Sequence, residues 1–161
     1  MIAALALGAC ANAPRTPTPA ALGTPISKTA PSPAGPSTDT RTLMIDNATA
    51  MLGQPYRWGG AAPGGFDCSG LVVYAAAGAG VRVPRTTQEQ RKFGIRVARR
   101  DLLPGDLVFM HLERKDLHVG IALDGERFIH APSHGGRVRI DLLDAAPYTN
   151  AFVTARRVIS P

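Results

Sequence analysis

The sequence predicts an α+β domain in which helices come first and an antiparallel sheet follows. Three observations carry this reading. Apolar residues recur at helical spacing over residues 41–52 and again from Cys68 to about residue 78. From residue 107 onward, five short runs read as strands: Leu107–Met110, His118–Leu123, Arg127–Ala131, Arg137–Leu142 and Ala151–Val158. The two kinds of element are segregated along the chain rather than alternating, which separates α+β from a parallel α/β architecture.

Composition bounds what such a domain can be. The chain has 161 residues, with 18 Lys and Arg against 12 Asp and Glu. That length suits one domain. No stretch reaches the roughly 20 apolar residues of a spanning helix, which excludes a polytopic membrane protein. Two cysteines exclude a disulfide-dense scaffold. One Trp, three Tyr and five Phe supply few stacking platforms. The net charge of +6 therefore points to a polyanionic surface and not to nucleic acid.

Residues 1–9 read as a signal peptide, because Ile2 to Ala9 form an apolar run too short to span a membrane. The end of the run, Leu7-Gly8-Ala9-Cys10, resembles the bacterial lipoprotein signal. The resemblance implies a lipidated Cys10 as the new N-terminus, and Ala11 after it goes with outer-membrane sorting. The expected location is the cell envelope, as an outer-membrane lipoprotein facing the periplasm. The absence of Lys or Arg before the run departs from that pattern, and an ordinary cleaved signal with an incidental Cys is the alternative. Residues 10–39 form the lipidated Cys and a linker rich in Pro, Ala and Thr, too poor in apolar area to offset its ordering entropy. Its reach is about 30 Å as a coil and roughly 90 Å as extended polyproline II. The folded domain is expected over 40–161.

A first helix is expected from about Arg41 to Leu52, with Leu43, Met44, Ala48 and Met51/Leu52 as its apolar stripe, stopped by Gly53 and Pro55. A Gly-rich loop then leads into Asp67-Cys68-Ser69-Gly70. Asp67 is a good N-cap for a second helix with Leu71, Val72, Ala75 and Ala76 on one face, closed by Gly78 or Gly80. Cys68 then sits in a first turn, where the helix N-terminus favours an anion and thiols reach pKa values of about 3.5–7.5. Its polar flank argues against a merely buried Cys. Thr86 with Glu89, and Thr87 with Gln90, have capping-box spacing and predict a short helix over about 87–93.

The strand alternation distinguishes the histidines. His118, Gly120 and Ala122 share a face, and Phe128 shares one with His130. A three-residue loop at Asp124-Gly125-Glu126 pairs 122 with 128 and brings His118 and His130 onto one face as diagonal neighbours. A two-residue turn would place them on opposite faces. Gly120 and Ala122 are expected to leave room there for a helix. His111 and His134 read as strand-edge and loop residues. A thiol, a His and a second polar residue form a nucleophile, base and orienter.

Six segments in order, Tyr56-Arg57-Trp58-Gly59-Gly60, Asp67-Cys68-Ser69-Gly70-Leu71-Val72, Pro84-Arg85-Thr86-Thr87 with Glu89-Gln90, Pro104-Gly105-Asp106-Leu107-Val108-Phe109, His118-Val119-Gly120-Ile121-Ala122-Leu123 and Phe128-Ile129-His130-Ala131-Pro132, resemble the NlpC-type cell-wall peptidases. They cover nearly all of 40–160, and the chain is similar to single-domain Gram-negative lipoprotein members. The resemblance implies a papain-like fold and a cysteine peptidase that hydrolyses peptidoglycan stem peptides. It implies Cys68 as nucleophile, His118 as general base and then acid, and His130 as orienter. Tyr56 then lies near the oxyanion, Asp67 and Ser69 at positions for a substrate amine, and Arg85 at the groove rim. Arg85 and Asp67 are expected to hold opposite ends of the stem. Met110-His111, where the family often has other residues, bears on groove shape. The D-alanyl–diaminopimelate cross-link is the expected bond, with the γ-D-glutamyl–diaminopimelate bond or an inactive wall-binding lipoprotein as alternatives. No cofactor or metal is expected, because a Cys68/His118/His130 zinc site lacks a close-spaced ligand pair. The expected partners are stem peptides and, through Cys10, a membrane; the expected state is a monomer.

Overall fold

The computed structural model describes residues 38–112, 116–134 and 136–159. The chain divides into two units, Met1–Ser32 and Pro33–Pro161, and all described residues belong to the second. The expected signal peptide, Cys10 and the linker as far as residue 37 lie outside the described residues.

Helix α1 spans Thr38–Thr49. It begins earlier and ends earlier than the expected 41–52. Met44 and Ala48 are fully buried, with Met51 packed at the edge of the same cluster. Leu43 and Leu52 are exposed, contrary to expectation. The difference is geometric: α1 packs chiefly on one helix, so a narrow i, i+4, i+7 stripe suffices. That helix is α2, Cys68–Gly78, whose buried residues include Leu71, Val72, Ala75 and Ala76. Asn47 Nδ2 donates to Ala75 O at 3.2 Å across the contact. At the C-terminus Val81 N–H donates to Ala76 O and Gly80 N–H to Ala77 O, a Schellman closure with Gly80 at φ 75°.

Between the two helices, β1 (Ala61–Ala62) and β2 (Gly65–Phe66) form a two-stranded ladder. Helix α3 covers only Thr87–Gln90. It is shorter than expected because Gln90 is its sole buried residue and Phe93, the apolar residue of the expected second turn, stays exposed and packs nothing that would hold that turn. Its Thr86–Glu89 capping box is formed.

Six strands follow: β3 Ile95–Val97, β4 Leu107–His111, β5 Leu117–Ala122, β6 Arg127–His130, β7 Arg139–Leu142 and β8 Phe152–Arg157. Their order is β3-β8-β4-β5-β6-β7, antiparallel throughout. Strand β3 was not expected; Ile95 is exposed on this edge, and only Val97 reaches the core. Alternation divides the sheet into two faces. Leu107, Phe109, Val119, Ile121 and Ile129 pack with α1 and α2. Val108, Met110, Ala122, Phe128, Tyr148 and Ala155 form a second cluster on the other face. Burying a side chain such as Phe109 or Phe128 contributes about 1.5–3 kcal/mol.

A buried carboxylate ties distant segments together. Asp106 is wholly buried and accepts from Arg157 at 2.9 and 2.8 Å, with Arg41 of α1 at 3.6 Å. Removing one partner of such a pair costs about 3–5 kcal/mol. The turn before β4 thereby holds α1 and β8, and so fixes the sheet under α2.

Candidate active site

The start of α2 is held by a backbone approach that only glycine permits. Gly60 O accepts from Asp67 N–H at 3.0 Å. A Cβ at Gly70 would lie 1.9 Å from that same oxygen. The loop carrying Tyr56 therefore rests directly on the first turn of α2. Asp67 caps the helix, accepting from Gly70 N–H at 2.6 Å. Burial pushes the Tyr56 phenol up, and the nearby Cys68 and Asp67 add to this.

Cys68 is the first residue of α2 and is half-buried. Its Sγ lies 3.6 Å from Thr87 Oγ1, and the backbone N–H groups of Val119 and Ser69 point at the sulfur. The β5–β6 ladder pairs only Ile121 with Ile129 and Ala122 with Phe128. Beyond those pairs the sulfur takes the Val119 N–H, which seats it against the residue next to His118. The thiol pKa moves opposite to the sequence expectation. Burial pushes it up and Asp67 adds to this, outweighing the hydroxyl and backbone donors. A sequence shows the helix terminus but not the depth at which it is buried.

His118 and His130 stand on one face, as the three-residue loop requires. His118 Nε2 and His130 Nδ1 are 2.7 Å apart, with the rings edge to face at 84°. The room beside Gly120 is filled by Phe128 and not by a helix: a Cβ there would lie 2.6 Å from Phe128 Cδ2. Val119 and Ile121 are the β5 residues that meet the helices. Phe128 and Tyr148 pack on the His130 ring at centroid distances of 4.6 and 5.5 Å. Met110 pairs with His118 across the β4–β5 ladder and is fully buried, so it backs the imidazole instead of lining open groove. Burial pushes both imidazoles down, His130 to about 4 and His118 to about 3, with His130 and Arg139 adding to the fall at His118. Thiol and imidazoles are thus neutral at pH 7. The arrangement suits proton transfer on demand more than a standing ion pair.

Two parts of the site were missed by sequence reasoning. One is Thr87, the hydroxyl partner of the thiol. In the sequence it shows only capping-box spacing to Gln90. The other is a cluster on Asp141. His130 Nε2 is 2.9 Å from Asp141 Oδ2, which also accepts from Arg139 Nε at 2.8 Å and Tyr148 Oη at 2.9 Å. Burial pushes the Asp141 carboxyl up, but the bonds from Arg139, His130 and Tyr148 outweigh it and hold it below the ordinary carboxylate range. Register makes the cluster: His130 pairs with Arg139 and Phe128 with Asp141, so all four share a face.

Asp67, Ser69 and Arg85 come together, but not at opposite ends of a groove. Arg85 donates to both carboxylate oxygens of Asp67, at 3.1 and 2.6 Å, and to Ser69 Oγ at 2.9 Å. Gly59 N–H, Gly70 N–H and Ser69 Oγ supply three more donors to the same carboxylate. Burial pushes the Asp67 carboxyl up, and hydrogen bonds from Arg85, Gly70 and Ser69 more than reverse this. No lone pair of Asp67 is left for an incoming amine. The Arg85 side chain is 41% exposed and Asp67 14%, so this corner presents a cation. His111 lies at the exposed end of β4 and His134 in a loop, as expected.

Comparisons with known proteins agree with this architecture. The chain is 40% identical over 106 residues to a probable endopeptidase of Mycobacterium tuberculosis (strain ATCC 25618 / H37Rv), covering 66% of this chain and 27% of that protein. It is 36% identical over 125 residues to murein DD-endopeptidase MepH of Escherichia coli (strain K12), covering 74% and 46%. The chain thus spans about a quarter to a half of the length of these curated relatives. Among solved structures, a lipoprotein-like NLP/P60 family protein from Staphylococcus aureus subsp. aureus Mu50 superposes with a TM-score of 0.70 at 33% identity, covering 83% of this chain and 46% of that one. The fold is the papain-like α+β fold. A model of the NlpC/P60 family matches residues 53–157, which contain the loop on Gly70, the Cys68 helix and both histidine strands, and the chain belongs to that family.

Proposed function

We propose that this chain is a cysteine peptidase that cleaves peptide bonds in peptidoglycan stem peptides, with Cys68 as nucleophile, His118 as base and His130 as orienter. The observation that carries the reading is the 2.7 Å contact of His118 Nε2 with His130 Nδ1 beside a thiol at a helix start. With Nε2 committed to His130, Nδ1 of His118 is the nitrogen left to take a proton. The S–H proton passes to His118 Nδ1 as Sγ bonds to the scissile carbonyl carbon. The carbonyl oxygen becomes an oxyanion, met by Cys68 N–H and the Tyr56 hydroxyl; losing one such donor costs about 10²–10³ in rate. As the C–N bond breaks, His118 gives the proton to the leaving amine. Water then attacks the thioester, its proton returns through His118, and the thiol is restored.

Similarity to a relative named murein DD-endopeptidase, in the same family, supports the substrate class. So does the charge of residues 40–161, 16 cations against 11 anions, toward a wall carrying stem carboxylates. Within that class we read the D-alanyl–diaminopimelate cross-link as the bond cut. The saturated Asp67 and the exposed face of Arg85 favour a carboxylate at this corner over a free stem amine. Purified cross-linked muropeptide dimers, digested and identified by mass spectrometry, test this. Monomers with intact tetrapeptides are expected; dipeptide stems would point to the γ-D-glutamyl bond and overturn the cross-link reading. Outer-membrane anchoring through Cys10 belongs to the same proposal and rests on Leu7-Gly8-Ala9-Cys10.

A further inference from the structure

We propose that Asp141 is a positioning residue that fixes the tautomers of both histidines, so that His118 reaches the thiol with a bare Nδ1. The inference deepens the peptidase reading and rests on it for its consequence in rate, though not for the tautomers themselves.

Asp141 is ion-paired with Arg139 at 2.8 Å and, as a carboxylate, can only accept, so the atom facing it at 2.9 Å, His130 Nε2, carries the hydrogen. Tyr148 Oη gives its own hydrogen to Asp141, so its oxygen, 3.5 Å from His130 Nε2, can only accept there. In a neutral imidazole with hydrogen on Nε2, Nδ1 is a bare acceptor. The group 2.7 Å from it, His118 Nε2, must then donate. A neutral His118 with hydrogen on Nε2 has its lone pair on Nδ1. Three side chains in series thus transmit one orientation. The reversed series, with hydrogen on Nδ1 of both rings, would leave His118 without a lone pair for the thiol proton. Nothing between the two histidines chooses between these states, since each ring accepts either role. Asp141 chooses, because a carboxylate rejects the bare Nε2 of the reversed series. When His118 becomes an imidazolium, it continues to donate to His130, and the carboxylate stabilises that charge through the shared ring.

Arg139 and Tyr148 make the choice firm. Arg139 Nε donates to Asp141 Oδ2, and Arg139 Nη2 lies 3.2 Å from Tyr148 Oη. The cation keeps the carboxylate charged, and both donors converge on the oxygen that His130 uses. This convergence separates two substitutions. In Asp141→Asn the amide oxygen can keep the Oδ2 position, because three donors demand an acceptor there. Asp141→Leu removes the acceptor altogether.

The test is the ¹⁵N spectrum of the full chain labelled at histidine, at pH 7 and without substrate, with His111 and His134 assigned by substitution to Gln. In the wild type both His118 and His130 are expected as Nε2–H tautomers. Asp141→Asn should keep them, with a modest loss of kcat from the missing charge. Asp141→Leu should bring in the Nδ1–H form and lower kcat by about 10–100-fold with KM unchanged. A wild-type His130 carrying hydrogen on Nδ1 overturns the proposal outright, as do unchanged tautomers in a folded Asp141→Leu. If the Leu variant does not fold, the wild-type spectrum and the Asn variant still decide. Correct tautomers in a wild type that cuts no muropeptide would defeat the peptidase reading and leave the tautomer assignment standing.

Discussion

Gly70→Ala is a substitution for which two physical rules give opposite signs. Gly70 lies inside α2, where Ala is favoured over Gly by about 1 kcal/mol. Propensity alone therefore predicts a more stable protein. The structure predicts the reverse, because the new Cβ would lie 1.9 Å from Gly60 O, 2.9 Å from Asp67 Oδ1 and 3.0 Å from Gly60 C. None of these is the free end of a flexible side chain. Restoring ordinary contact requires the 56–60 loop to retreat by about 1.5 Å. Overpacking of this kind costs about 1–3 kcal/mol. The retreat also stretches the bonds from Asp67 N–H to Gly60 O and from Gly59 N–H to Asp67, each contributing about 0.5–1.5 kcal/mol. Net of the helix gain, the loss is about 1–5 kcal/mol, or roughly 3–25 °C in Tm for a domain of this size. Tyr56 moves with the loop, and a displacement of about 1 Å at a reacting centre costs about 10² in rate. Thermal unfolding and muropeptide turnover measure both effects. Gly125→Ala is the control, since its Cβ would meet nothing within 4 Å, and it should stay within about 0.5 kcal/mol of wild type. A Gly70→Ala protein that melts higher than wild type and keeps its turnover would refute the reasoning.

Stability should fall with acid before the carboxylates titrate. His118 and His130 are held neutral by burial, with values near 3 and 4, while unfolded histidine titrates near 6.5. Between those values the unfolded chain binds more protons, so stability is full above about pH 6.5 and falls as pH drops, by about 1.4 kcal/mol per pH unit for each imidazole. Urea unfolding at pH 7 and pH 5 should show this slope, and His130→Gln should flatten it; an equal slope in the variant contradicts the burial argument. For the anchor, wild-type chain expressed in a Gram-negative host should sediment with membranes and Cys10→Ser should not. A Cys10→Ser protein that stays in the membrane fraction at full yield removes the lipidation reading.

What was legible in the sequence was whatever short-range rules determine. The pairing of Ala122 with Phe128 followed from a three-residue loop, and Asp124 secures that loop by accepting from the N–H groups of Glu126 and Arg127 at 2.8 and 2.7 Å. Asp67 and the Leu71, Val72, Ala75, Ala76 stripe defined α2 for the same reason, since cap and stripe lie within one element. The Asp141 cluster was not legible. Eight residues separate β6 from β7, too many for turn chemistry to set the register that brings Asp141 under His130. Tyr148 comes from an irregular segment with no periodicity to read. Arg85 meets Asp67 across 18 residues and two helix caps, so their pairing depends on how α3 docks beside α2. Leu43 was misassigned because apolarity sets which residues can be buried, while the number of neighbouring helices sets how many are. The thiol shift reversed sign because burial, a tertiary quantity, outweighed the local helix terminus.

Nucleophilic catalysis by this chain requires the Cys68 sulfur to attack a stem-peptide carbonyl. Acid-quenching the wild-type chain during turnover of cross-linked muropeptides, followed by mass mapping of its peptides, tests it most directly. A stem acyl group on Cys68 as a thioester is expected, and no product from Cys68→Ala. An acyl group carried by another residue, or muropeptide cleavage by Cys68→Ala, would contradict it.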